Sequence, residues 1–280
     1  MTLPSGNDIW GVASFKKLPR ASAFARVFLF LTASLAISYF SVAFKGQNFA
    51  LDILTKLDCL LAVLLLYTEG THVKHWFIKR FTWPANNRAL IVGLFLTTMS
   101  ITAAAMGHYL VAGQLPVIED LPFSGHIFGY FLINLFLASF EDISWRAFLL
   151  PRVLHLIPCF GSILGIGALW GIWHIGFYLT LDLVTPNYVV TPVIYYTFAY
   201  IPYYIVWRLS AGSMLPLTIT HAFYNTVVHF TTERILFLEG KSDIWLFYHC
   251  QIIALGILSC AAAFIIKRFK FSFDFSLNKI

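Results

Sequence analysis

Residues 129–151 read GYFLINLFLASFEDISWRAFLLP. The run has the length and apolarity of a bilayer-spanning helix, yet Glu141, Asp142 and Arg146 sit inside it. Each such charge at the centre of a bilayer costs roughly 2.5–3.5 kcal/mol by insertion scales, and more by simulation. A chain that keeps three of them within six residues uses them, either to hold helices together or to carry chemistry.

The rest of the sequence sets the context. Hydrophobic residues make up 59% of the 280 and charged residues 11%, against about 25% charged in a soluble domain. The formal charge of +6 does not point to nucleic acid, because the basic residues form no amphipathic or aromatic-interleaved patch. They fall between apolar runs, as membrane orientation requires. Cys59, Cys159, Cys250 and Cys260 have no CxxC spacing and predict neither a disulfide nor a cysteine-based metal site.

Apolar runs of spanning length, about 20 residues each, occur at roughly 23–44, 50–68, 89–112, 126–150, 160–182, 190–208, 213–231 and 244–266. The expected fold is an all-α polytopic membrane bundle of about eight transmembrane helices. The second run is the weakest, since it holds Asp52, Lys56 and Asp58; Asp52 and Lys56 are i,i+4 neighbours able to neutralise one another. Ser41-Val42-Ala43 resembles a signal-peptidase site, but the preceding run is long for a signal h-region, so a retained helix is expected. No repeat, low-complexity segment or soluble linker divides the chain. It reads as one membrane-embedded domain over 1–280, with a cytoplasmic N-terminal segment at 1–22 and the candidate catalytic helices at 126–231.

Lysines and arginines sort by loop. Lys16, Lys17, Arg20 and Arg26 precede the first helix; Lys74, Lys79, Arg80 and Arg88 lie between the second and third; Arg152 and Arg208 follow the fourth and sixth; Lys267, Arg268, Lys270 and Lys279 close the chain. The other side holds Lys45, Arg234 and Lys241. This positive-inside bias puts both termini in the cytoplasm.

The fourth helix carries the charges. On an α-helix, Asp142 and Arg146 are about 40° apart and can pair, whereas Glu141 and Arg146 are about 140° apart. A structural ion pair accounts for Asp142 and Arg146 and leaves Glu141 to another helix or to water. The fifth helix supplies Trp170 and His174 in LWGIWHIGFY; the seventh supplies His221, Asn225 and His229 in THAFYNTVVHF. A lone histidine in an apolar helix is ordinarily a packed, hydrogen-bonded residue. Intramembrane ionisable groups on different helices, however, tend to partner across the bundle. At 1.5 Å rise per residue, Glu141, His174 and His221 all fall roughly 10–20 Å below the cytoplasmic surface.

A glutamate and histidine around one water can make it a nucleophile, with the glutamate as general base. A histidine and asparagine can donate to a developing oxyanion. Glu141, His174 and His221 could equally be three zinc ligands with the fourth position open to water. Buried Glu and His also build proton relays in transporters, and a catalytically silent scaffold is a third class. Other intramembrane protease signatures are missing: there is no HExxH, no GxGD, and SAGS at 210–213 is not GxSG.

The order Glu141-Asp142-x3-Arg146, Trp170-x3-His174, His221-x3-Asn225 resembles the CPBP (Abi) family of membrane proteases. That family groups the CAAX prenyl endopeptidases with bacteriocin-processing and self-immunity proteins, and its usual motifs are EExxxR, FxxxH and HxxxN. The likeness covers residues 141–225. It implies that Glu141 and His174 activate water and that His221 and Asn225 stabilise the oxyanion. It leaves Asp142, Arg146 and Trp170 as supporting residues. Two positions depart from the pattern: Trp170 stands for phenylalanine and Asp142 for the second glutamate.

The resulting expectation is a membrane-embedded endopeptidase acting near the cytoplasmic leaflet, without a cofactor, zinc being the alternative. Its partners would be the lipid bilayer and a peptide or protein substrate, prenylated or a leader peptide, with no nucleic acid. A compact chain with short loops suits a bacterial inner membrane, the endoplasmic reticulum membrane being the alternative. The aromatic helix 191–208 suggests that Tyr203, Tyr204 or Trp207 lines a lateral entry for an apolar peptide.

Overall fold

The computed structural model of the protein describes residues 18–41, 57–84, 87–113, 125–180, 189–238 and 241–268. All regular structure among them is helical: α1 (Arg20–Ser41), α2 (Leu57–Thr68), α3 (Val73–Arg80), α4 (Arg88–Ala112), α5 (Gly125–Glu141), a π-helix (Asp142–Leu149), α6 (Leu150–Leu156), α7 (Phe160–Thr180), α8 (Val190–Leu209), α9 (Leu215–Leu238) and α10 (Lys241–Arg268). Seven of the eight expected runs recur as helices, with 126–150 divided into α5, the π-helix and α6 and with 213–231 extended to Leu238. The second begins at Leu57, and the Asp52 and Lys56 pair lies outside the described residues, as do Val42 and Ala43.

Four helical stretches are long and apolar enough to cross a membrane: Arg20–Phe40, Arg88–Ala112, His126–Leu156 and Ile244–Ala261. Leu57–Thr68 and Phe160–Gly176 are shorter apolar helices. The chain is thus an all-helical bundle with four candidate spans among the described residues, and its exposed Phe28, Leu60, Phe95, Leu110, Phe136 and Ile257 are apolar as lipid contact demands.

α8 is the axis of the packing, in contact with α7, α10, α4 and α9. The closest pairing, α7 on α8, is made possible by the stretch Gly167-Ala-Leu-Trp-Gly171. A Cβ on Gly167 would stand 2.9 Å from the Thr197 Cα, and one on Gly171 2.7 Å from the Val193 Cα. Two glycines one turn apart let the backbones touch, the usual device where no hydrophobic effect drives helices together. α1 is built into the same body. Its Phe30 packs edge-on against Trp145 and tilted against Phe148, and Ser38 Oγ donates to the Trp173 carbonyl.

Serines 210 and 213, in the SAGS stretch, form the tight α8–α9 turn. Ala211 and Gly212 have positive φ, Ser210 Oγ donates to the Ser213 carbonyl, and Arg80 Nη1 donates to the Gly212 carbonyl at 3.0 Å. Arg80 is buried, and so is Arg152, which holds Glu69 through Nε and Nη2. Both arginines counted by sequence as loop charges are therefore spent inside the protein.

The π-helix is the local feature that sequence periodicity did not foretell. Its closing bond runs from the Leu150 N–H to the Trp145 carbonyl, five residues back. Pro151 supplies a reason. Proline has no N–H to give, and its ring would crowd the carbonyl four residues earlier, here that of Ala147. A wider turn before it relieves that contact, and such π segments recur at functional sites. All eight residues, Asp142 to Leu149, are buried.

Candidate active site

The π-helix delivers Glu141 and Asp142 to one histidine. His221, on α9, lies with Nδ1 3.2 Å from Asp142 Oδ1 and with Nε2 3.7 Å from Glu141 Oε2. All three side chains are buried. A carboxylate can only accept, so the Asp142 bond puts a proton on Nδ1 and turns Nε2 towards Glu141.

Asp142 has a second partner. Arg146 Nη1 donates to Asp142 Oδ1 at 2.5 Å, the i,i+4 pair expected from the sequence. Asp142 is therefore not confined to that pair: the same oxygen faces both the guanidinium and the imidazole. Arg146 is fully buried, and its charge is lodged among aromatic faces, with Cζ 4.1 Å from the Trp170 ring centroid, 4.4 Å from Tyr203 and 5.3 Å from Tyr200. Desolvated cation–π contacts of this kind are worth up to about 2 kcal/mol each.

Trp170 links the two histidines. Its ring stands edge-on to His174 at 4.9 Å and to His221 at 5.9 Å, and its carbonyl accepts from His174 Nδ1 at 2.8 Å. A carbonyl only accepts, so the neutral His174 ring carries its lone pair on Nε2. Tyr196 lies flat on the His174 ring, 3.8 Å between centroids and 16° between planes, and is within electrostatic reach of Glu141. Glu141, Asp142, Arg146, Trp170, His174 and His221 thus form one continuous constellation drawn from the π-helix, α5, α7 and α9.

Asn225 follows His221 by one turn on the same face of α9 and is half-buried. Thr226 beside it bonds Asn134 of α5 across the helix pair, Asn134 Nδ2 to Thr226 Oγ1 at 3.3 Å. His229 is placed elsewhere, stacked on Tyr130 at 4.1 Å. Tyr203 packs on His221 at 5.1 Å, whereas Tyr204 and Trp207 stack on each other in the core, 1% and 0% exposed. The last two line no lateral entry.

Tyr196 and Tyr200, which pack on His174 and Arg146, were not singled out by sequence, and Tyr203, expected at a lateral entry, packs on His221 and Arg146 instead. Their signal was the i, i+4, i+7 spacing along α8, which sets one stripe on one face. Among the described residues no three His, Cys, Asp or Glu side chains form a group able to hold a metal ion.

Residues 123–227 match the family model described as Type II CAAX prenyl endopeptidase Rce1-like. No curated protein matches the chain. The matched stretch begins beside α5 and ends two residues after Asn225, so it contains the whole constellation. Residues 123–227 thus resemble an Rce1-like CAAX prenyl endopeptidase domain, the domain of the CPBP (Abi) family of membrane proteases.

Proposed function

We propose that the protein is a membrane-embedded endopeptidase that hydrolyses a peptide bond of a lipidated or membrane-associated peptide near the cytoplasmic leaflet. The observation that carries this reading is the buried Glu141–His221–Asp142 arrangement inside the family-matched segment. Glu141 serves as general base for a water that His174 Nε2 helps to hold. Glutamate is the stronger candidate because Asp142 Oδ1 is already engaged by both Arg146 and His221.

His221 and Asn225 face the developing negative charge on the scissile carbonyl oxygen. Donation from His221 Nε2 requires that this nitrogen carry a proton while Nδ1–H stays on Asp142. The reaction uses no metal; its chemistry is carried by side chains. The native membrane is a bacterial inner membrane and both termini are cytoplasmic.

One observation favours a second assignment of roles within the same protease. The Asp142–His221 bond has the form of a carboxylate fixing a histidine tautomer, with Nε2 free to act as base. The two assignments separate on Asp142→Asn. If His221 is the base, turnover falls by about 10⁴-fold, as when a tautomer-fixing aspartate is lost. If Glu141 is the base, the loss stays near that of one oxyanion donor, about 10²–10³-fold.

The reading itself is tested with purified protein in lipid nanodiscs. Prenylated peptides, leader peptides and single transmembrane segments are presented in turn, and products are identified by mass spectrometry. Cleavage by the wild type and none by Glu141→Gln supports it. Equal cleavage by both would refute it. Prolonged chelation should leave turnover unchanged; loss on stripping and recovery with added zinc would move the mechanism to a metalloprotease.

A further inference from the structure

Tyr196, the ring stacked on His174, also opens a second polar cluster. Its phenol is 3.4 Å from that of Tyr178 on α7, which is 3.4 Å from that of Tyr248 on α10. Tyr195 packs on Tyr196 and Tyr248 at 4.9 and 5.0 Å. On the far side the Tyr224 phenol lies against the Gln251 amide, without the geometry of a closed hydrogen bond. Thr191, one turn before Tyr195, is 3.4 Å from the exposed His249. Polar side chains therefore run from His174 through Tyr196 and Tyr178 to Tyr248.

This filling is the wrong one for a dry core. Gln251 is 0% and Tyr195 2% exposed, yet both Gln251 amide atoms and the Tyr195 and Tyr224 hydroxyls find no hydrogen-bond partner in the protein. The phenol contacts of Tyr178, at 3.4 Å, are longer than the roughly 2.7–2.8 Å at which O–H···O bonds close. Inside a membrane bundle such groups need partners. Water, which takes roughly two to four polar contacts in a buried site, is the ordinary one. Tyr196, Tyr224 and Asn225 also keep accessible surface beside the buried histidines.

We propose that Tyr178, Tyr195, Tyr196, Tyr224, Tyr248 and Gln251 form a water-holding pocket that adjoins His174 and supplies the site with water. The supplying role rests on the protease reading above; the hydration does not. Hydrolysis consumes a water for each bond cut, its hydroxyl going to the acyl carbon and its proton to the departing amine. A site walled by apolar helices needs a route by which that water is replaced.

The experiment is X-ray radiolytic hydroxyl labelling of the full-length protein in nanodiscs, read residue by residue by mass spectrometry. Tyr200 is the control, of the same reactivity and fully buried, with its hydroxyl bonded to the Trp145 carbonyl. Tyr178, Tyr195 and Tyr248 should oxidise several-fold faster than Tyr200, in wild type and in Glu141→Gln alike. Rates as slow as that of Tyr200 overturn the pocket. In turnover assays, Tyr248→Phe and Gln251→Leu should each lower kcat about tenfold with KM unchanged, the scale of one lost hydrogen bond. Unchanged kcat in both overturns the supply route. Absence of hydrolysis in every variant, wild type included, refutes the protease reading instead, and the labelling then decides the pocket by itself.

Discussion

At the scale of single residues, the same two carboxyl groups do different things because of what faces them. Asp142 is held by a guanidinium and an imidazole, while Glu141 approaches the imidazole from the other side at 3.7 Å. Under the proposed mechanism, Glu141→Gln and His174→Ala should each abolish turnover, since one removes the proposed base and the other the side chain proposed to hold the water. His221→Ala and Asn225→Ala should each lower kcat about 10²–10³-fold, the cost of one oxyanion donor, measured with any peptide that the wild type cuts. Arg146→Met should reduce the amount of folded protein, because a buried carboxylate loses its cation at a cost of about 3–5 kcal/mol. Asp142→Asn combined with Arg146→Met should recover part of the folded protein without recovering activity, as His221 has then lost its anchor. An Arg146→Met variant as stable as wild type but inactive would instead place Arg146 in the chemistry.

At the scale of elements, the site depends on two irregularities of helices. The π-helix before Pro151 sets the turn on which Glu141 and Asp142 reach one histidine, and it is braced from outside: Ser144 Oγ donates to Asp58 Oδ1 at 3.0 Å, Tyr200 to the Trp145 carbonyl, and Arg152 to the Phe148 carbonyl. Arg152 in turn is clamped on Glu69. Glu69→Gln leaves a buried guanidinium short of its counter-charge and should cost about 3–5 kcal/mol, read as a lower unfolding midpoint in detergent. Wild-type stability would show that the clamp holds nothing. The second irregularity is the glycine pair of α7. Gly171→Ala drives a methyl into the Val193 backbone, and overpacking of this kind costs about 1–3 kcal/mol. Because Trp170 and His174 ride on the same helix, kcat should fall along with thermal stability. Gly161, whose Cβ would stand 3.6 Å from the Cys159 sulfur, should accept alanine without either effect.

For the whole molecule, the charge pattern predicts that reporter fusions after residues 118, 186 and 240 report the outer side, and fusions after 85 and at the C-terminus the cytoplasm. An external C-terminus would sink that topology, which already loses two supporters to the protein interior, Arg80 on the Gly212 carbonyl and Arg152 on Glu69. The sequence by itself determined the helices, because unbroken apolar runs of bilayer length leave a backbone no other way to satisfy its hydrogen bonds. It also determined which residues could be chemical, because charge inside such runs is too costly to be incidental. Motif order carried the family. The partners were decided by the tertiary structure alone. The π-helix replaces the 100° step on which pairing angles are reckoned, and the bond from His221 to Asp142 joins residues 79 apart. The Arg146 cage needs α7 and α8 in contact, which Gly167 and Gly171 permit. The clamp of Asp58 and Glu69 on the π-helix and the turn after it comes from α2 and the turn that follows α2, whose sequence holds no trace of it. Periodicity records which face of a helix is buried; which side chain waits on the other side is fixed only when the helices meet.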